Sequence, residues 1–279
     1  MKKFFMFSLV FVMMILPFNE KVSANTSNWT DLKNKAENYI KNNAESYVND
    51  FFNKLMEKYI GEKQVEQTIV SGQDTINELK QLEFVSGSSD IVILNNNKPS
   101  ISYYDFEQSY VNYSDLDSLN RAGQATAHLT KENLISSENR SSQVFMPTGF
   151  HKNGKQDRGH VIAYTLTGNL NEDGQYEHGH DGSLDNPKNL FTQTSASNRG
   201  SMQIFENQVR DGLKMGSKVI YQGTPIFVGN ELMARGIWLQ AVSNDGSVEF
   251  NVYIHNVANG YKFDYLTGRK TKDKNFIVE

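Results

Sequence analysis

The spacing of apolar residues changes character several times along the chain. Phe4 to Phe18 is almost continuously apolar. Over 27–60, Ile40, Ala44, Tyr47, Val48, Phe51, Phe52, Leu55, Met56 and Tyr59 recur every three or four residues. That period predicts a helix with a packed aromatic stripe, and Gly61 is a natural stop. Residues 62–89 are mixed and polar, with a short helix predicted over 75–82. From Asp90 the period shortens to two. "DIVIL" and "SISYYDF" flank "NNNKP", the pattern of two strands with a hairpin-like connection. "SDLDSLNRAGQATAHL" is turn-rich and then extended. "NLFTQT", 189–194, reads as a strand, and 198–215 as a helix. Beyond Lys218 come the strand-like runs "KVIYQGTPIFV", "MARGIWLQAV", "VEFNVYIHNV" and "YKFDYLTG", parted by turns such as Asn244-Asp245-Gly246. The sum is an α+β chain: a central antiparallel sheet flanked by helices, with an added N-terminal helical segment.

Composition sharpens this picture at the N-terminus. Lys2 and Lys3 precede the apolar run and Val22-Ser23-Ala24 follows it, the signature of a secretory leader over 1–24 removed near Ala24. No other apolar run approaches the roughly 18 residues of a spanning helix, so no membrane anchor is expected. Residues 25–61 are then a helical extension, and 62–279 the main domain. The chain has no cysteine, so its core alone must hold it together outside the cell. The formal net charge of −4 becomes about −6 once the leader's three lysines and one glutamate are gone. That argues against wholesale electrostatic binding of nucleic acid and leaves room for a local basic cleft.

The chemistry begins at "GKQDRGHVIAY", 154–164, where Asp157, Arg158, Gly159 and His160 sit at the mouth of an apolar run that reads as a strand. In extended backbone, residues two apart share a face, so Arg158 and His160 would reach one cleft. A neutral imidazole can take a proton from water, and a guanidinium can grip a phosphate. Gly159 between them would let a backbone or a substrate come close. Downstream, the 198–215 helix carries Asn198, Met202, Phe205, Glu206, Val209, Arg210 and Leu213 on one broad face. Glu206 and Arg210 edge an otherwise buried stripe, as in a helix lying under a cleft. Asn198 is expected at its N-terminus, where unpaired N–H groups favour anions.

These residues resemble the site of the ββα-metal DNA/RNA non-specific endonucleases, and within them the secreted streptococcal DNases. Arg158-Gly159-His160 is followed by Asn189, then Asn198 nine residues later, Glu206 eight beyond that and Arg210 four further on. "LDSLNRAG" (116–123), "PTGF" (147–150), "TPIFVGNELMARGI" (224–237) and the final "DYLTG" also look like that bacterial branch. The likeness covers roughly residues 90–270. It implies a ββα-metal nuclease fold and hydrolysis of DNA, with RNA as a second substrate class, through the phosphate backbone. It further implies His160 as general base, Asn198 as the sole direct protein ligand of one Mg²⁺ (with Mn²⁺ able to substitute), and Glu206 orienting the waters around that metal. Arg158 and Arg210 would hold the phosphate, and Asn189 would brace the catalytic site near His160.

Two other readings stand beside it. A decayed nuclease fold serving as a secreted host-binding factor would be expected to have lost His160, Asn198 or Glu206. A metal-dependent phosphodiesterase acting on something other than nucleic acid would keep them. "YEHGHDG", with His178, His180 and Asp181, has the composition of a metal site, yet its Gly, Asp and Asn content reads better as a solvated loop. His128, His151 and His255 belong to no motif and are read as structural or surface residues. No obligate protein partner is evident.

Overall fold

The computed structural model describes residues 66–68, 75–136 and 142–279. The leader over 1–24 and the helix predicted over 27–60 lie outside the described residues. In chain order the elements are β1 (Glu66–Thr68), α1 (Thr75–Gln81), β2 (Ile91–Leu94), β3 (Tyr110–Tyr113), β4 (Ala125–Leu129), β5 (Gln156–His160), β6 (Leu190–Thr194), α2 (Met202–Met215), β7 (Val219–Ile226), β8 (Gly236–Ser243), β9 (Glu249–His255), β10 (Tyr261–Asp264) and β11 (Arg269–Lys272).

The main sheet has seven strands in the order β1-β2-β9-β8-β7-β4-β3. Every pairing is antiparallel except the parallel β1–β2 edge. β7, β8 and β9 form its centre as a meander with Asn244–Gly246 at a turn. Both faces of β7 and β8 are covered, and their residues are almost all buried. One face carries Val219, Tyr221 and Phe250, against which α2 lays Phe205, with ring centroids of Phe205 and Phe250 5.1 Å apart. The other face carries amides. Gln240 donates to Gln222 at 3.1 Å, Gln222 to Thr126 at 2.9 Å, and Trp238 Nε1 to Asn251 at 2.7 Å. Beside them α1 tucks Leu79 among Val92, Leu94, Ile226, Trp238 and Tyr253.

The amide face explains why the hairpin expected across "NNNKP" does not form. β2 is flanked by β9 and β1, so no place beside it is open to 100–106. Asn95, Asn96 and Asn97 instead take left-handed backbone at φ 49°, 51° and 66°, a conformation asparagine tolerates. The chain then crosses the amide face. Ser100 gives its N–H and its hydroxyl to Gln240 Oε1 at 2.7 and 2.9 Å, and Asn251 Nδ2 reaches the Lys98 carbonyl at 2.7 Å. The strand in this region is β3, later in sequence than predicted.

β5 and β6 pair antiparallel outside the main sheet, with Arg158 opposite Thr192 and His160 opposite Leu190. Here the sequence reading is also corrected: the strand is the Asp157–His160 motif itself, and the apolar run after it is buried but not a strand. β6 passes into helix at Ser195 with no intervening loop. Thr194 ends the strand and caps the helix, its Oγ1 accepting from Ser197 N at 3.1 Å. One wide i→i+5 turn over Ser197–Ser201 precedes α2. α2 stops at Gly216, which has φ 100° and closes on Gly212 and Leu213. Two strands and a helix thus form one unit whose strand and helix ends meet.

Candidate active site

The β5–β6–α2 unit opens onto a cleft of about 930 Å³ lined by Arg158, His160, Asn198, Glu206 and Arg210, among others. Residues from two separate stretches of sequence therefore face one space. Strand alternation does what the spacing predicts: Arg158 and His160 lie on one side of β5. From α2, Phe205, Val209 and Leu213 go into the core while Glu206 and Arg210 turn to the cleft.

His160 is 8% exposed, and its Nε2 lies 2.9 Å from the Leu184 carbonyl oxygen. A carbonyl only accepts, so Nε2 carries the proton of the neutral ring. Arg158 gives Nη1 to the Gln143 carbonyl at 2.7 Å, with its guanidinium 5.9 Å from the Phe150 ring. Arg210 Nη1 donates to Thr165 Oγ1 at 2.8 Å. Burial pushes the Glu206 carboxyl up to about 7, against the opposing pull of Arg210.

Asn198 lies in the wide turn, inside the first turn of a helix that starts at Ser195. It sits three residues inside the helix start rather than at the first residue as predicted. Its amide is oriented. Nδ2 donates to Asp157 Oδ2 at 3.0 Å, so the acceptor end, Oδ1, points away from that carboxylate. Asp157 in turn takes Arg199 Nε and Nη2, both at 2.7 Å, and Ser195 Oγ at 3.1 Å. Burial would raise the Asp157 carboxyl, but the bonds from Arg199, Asn198 and Ser195 outweigh it and hold the carboxyl below its usual range.

Asn189 is fully buried and does not line the cleft. Its Oδ1 accepts from Ile162 N at 2.8 Å and its Nδ2 donates to Ile162 O at 2.9 Å, clamping the backbone just beyond His160. Gly159 departs from expectation. Its bare side turns away from Arg158 and His160 toward Gln193, whose Oε1 would lie 2.3 Å from an added Cβ. The close approach is internal and involves no substrate. His178 lies in an exposed loop, and His180 Nδ1 accepts from Gly182 N at 3.1 Å. His128 and His255 are buried, while His151 Nε2 meets the Thr267 carbonyl at 2.9 Å.

Sequence reasoning gave no role to Asp157, although it stands in the same tetrapeptide, or to Arg199, the residue after Asn198. The charge pair was the available signal. The Leu184 carbonyl had none, because a backbone acceptor leaves no mark in the sequence.

This constellation can be set beside known proteins. The structure resembles that of NucA from Streptococcus agalactiae with a magnesium ion bound, at TM-score 0.59 and 28% identity, covering 72% of this chain and 98% of that one. The metal-free NucA structure matches at TM-score 0.57 and 28% identity, covering 73% of this chain and 100% of that one. The Sda1 nuclease with bound zinc shares the fold, at TM-score 0.51 and 22% identity, over 66% of this chain and 97% of that one. A curated deoxyribonuclease from Streptococcus dysgalactiae subsp. equisimilis is 32% identical over 87 residues, 29% of this chain. The match spans only 27% of that relative's length. The profile of the DNA/RNA non-specific endonucleases matches residues 99–245, which takes in β5, β6, α2 and every cleft residue named above. By that match, over more than half its length, the chain belongs to the DNA/RNA non-specific endonuclease family.

Proposed function

We propose that the chain is a secreted, divalent-metal-dependent endonuclease that hydrolyses phosphodiester bonds of DNA with little regard for sequence. The observation that carries this reading is the convergence of Arg158 and His160 with Asn198, Glu206 and Arg210 on one cleft. Phosphate-binding cations, an orientable base and oxygen donors are the parts that in-line hydrolysis requires.

The residues fit Mg²⁺. The Asn198 amide oxygen is a hard donor of the kind it takes, and the Glu206 carboxylate could hold the waters that fill the rest of its shell. Asp157 holds the Nδ2 end of Asn198, which leaves Oδ1 turned from that carboxylate, and Glu206 lines the same cleft. When bound there, Mg²⁺, or Mn²⁺ in its stead, would offset the charge of the phosphate and of the leaving 3′ oxygen. His160 Nδ1 takes a proton from water as the water oxygen bonds to phosphorus. The P–O3′ bond breaks as the departing oxygen takes a proton from a water in the cleft, and His160 returns its proton to solvent. Arg158 keeps Nη1 on the Gln143 carbonyl and offers Nε and Nη2 to the phosphate, with Arg210 beside it. Glu206 accepts hydrogen bonds from water in the cleft. Asn189 holds the backbone behind the base.

The leader over 1–24 supports export, and among the described residues no helix is long and apolar enough to cross a membrane. Intact mass of the protein from culture medium should correspond to a start after Ala24; retention of the leader would refute cleavage. Residues 25–61 are taken as an extension outside the catalytic domain at 62–279, and the trimmed chain should keep its activity. The function itself is tested by nicking of supercoiled plasmid. Nicking should require Mg²⁺ or Mn²⁺, stop with chelator and leave ends of mixed sequence. A folded protein that cuts neither DNA nor RNA with any divalent cation would leave the host-binding reading and the phosphodiesterase of another substrate in its place.

A further inference from the structure

His160 is held from behind by a backbone carbonyl, and that carbonyl is itself held. The residue after Leu184 is Asp185, whose carboxylate accepts the backbone N–H groups of Val144 and Phe145 at 3.0 to 3.2 Å. Hydrogen bonds to an ionised acceptor are the strong ones. The 143–145 segment then returns to the site. Gln143 Nε2 donates to the same Leu184 carbonyl at 3.2 Å, and the Gln143 carbonyl accepts Arg158 Nη1 at 2.7 Å. The contacts close into a ring: His160, Leu184, Asp185, Val144 and Phe145, Gln143, Arg158, and back along β5.

We propose that Asp185 is a positioning residue: by clamping the 143–145 segment it fixes the Leu184 carbonyl against His160 Nε2, and so sets the tautomer and direction of the base. This rests on His160 being that base. The carboxylate matters here because apolar packing gives the segment little hold, Val144 being 75% exposed. The flanks of the Leu184–Asp185 step have their own anchors. Ser183 N donates to Thr167 Oγ1 at 2.9 Å and Asn186 Nδ2 to the Glu172 carbonyl at 2.7 Å. Loss of Asp185 therefore frees one carbonyl and one segment without unravelling the loop.

The test compares full-length Asp185→Ala and Asp185→Asn with wild type. On supercoiled plasmid, Asp185→Ala should lower kcat by about 10- to 100-fold, the size seen when the outer partner of a metal-bound histidine is removed, with KM changed by less than about threefold. Asp185→Asn keeps one acceptor oxygen and should fall between. The decisive readout is the ¹⁵N spectrum of histidine-labelled protein, with the His160 signals identified by their loss in His160→Gln. Wild type should show the Nε2–H form, and Asp185→Ala a mixture of tautomers. Asp181→Ala, at an exposed carboxylate four residues earlier, should change neither readout. A drop in kcat with His160 still wholly Nε2–H would assign Asp185 a merely structural part and overturn the proposal, as would unchanged kcat. If Asp185→Ala does not fold, Asp185→Asn decides by the same two readouts. Full turnover by His160→Ala would instead defeat the base assignment, and the tautomer measurement would still stand on its own.

Discussion

Gly159→Ala places one methyl group where β5 meets β6. The new Cβ would lie 2.3 Å from Gln193 Oε1 and 2.8 Å from Gln193 Cβ. The amide end can swing away, but it is fully buried, and its Nε2 holds Ser197 Oγ at 2.9 Å. Moving it strands a buried donor, at about 1–3 kcal/mol. The Cβ contact cannot be relieved by rotation, so the strands must part, an overpacking cost of about 1–3 kcal/mol. Together these predict a loss of about 2–6 kcal/mol, or roughly 6–18 °C in Tm at about 3 °C per kcal/mol for a domain of this size. Activity should suffer even where the protein stays folded, because Arg158 and His160 flank the methyl and Ser197 precedes Asn198. Urea unfolding and plasmid nicking at 20 °C measure the two effects. Gln193→Ala in the same chain should restore part of the stability and not all, since its Cβ remains. A Gly159→Ala protein within about 1 °C of wild type in Tm would refute the packing described.

Burial holds the His255 imidazole, with Phe84 and Tyr253 at its edges, down to about 4. The unfolded chain binds that proton near 6.5, so the contribution is complete above 6.5 and is lost as pH falls toward 4. His255→Phe should shrink the acid-induced loss of stability by about 2–3 kcal/mol in urea titrations from pH 7 to 4.5, and an unchanged pH slope would contradict the assignment. Asp157→Ala removes the partner of both Asn198 and Arg199. Mn²⁺ affinity by calorimetry should fall about 10- to 100-fold, while Ser195→Ala should barely change it; equal effects would deny Asp157 its orienting role. Of the cleft arginines, Arg199 is already paired with Asp157. DNA affinity should therefore fall with salt at a log–log slope of about −2 to −3, and a slope near −10 would reveal a large basic surface elsewhere.

How legible these features were depended on whether side-chain pattern or chain geometry decided them. The stripe of α2 was plain, since Met202, Phe205, Val209 and Leu213 repeat at helical spacing and are all buried. Its start was not, because β6 runs straight into helix and the cap, Thr194, is also the last strand residue. "SISYYDF" alternates like a strand, yet what a strand pairs with is set by the whole sheet, and β9 and β1 already flank β2. In the cleft, the resemblance to the endonuclease pattern implied that Arg158, His160, Asn198, Glu206 and Arg210 would meet. It could not give the orientation of the Asn198 amide, which depends on Asp157 across the unit, or the carbonyl that sets the His160 tautomer. Gly159 was visible as a close approach, but only the strand's two faces reveal toward what.

In the proposed function these residues act as one phosphodiesterase site with His160 as its base. Turnover of supercoiled plasmid by His160→Ala in saturating Mg²⁺, measured with DNA affinity on the same preparation, tests it most directly. The expected result is a fall in kcat of about 10²- to 10⁴-fold with DNA affinity within about threefold of wild type. Near-wild-type turnover by a folded His160→Ala protein would contradict it.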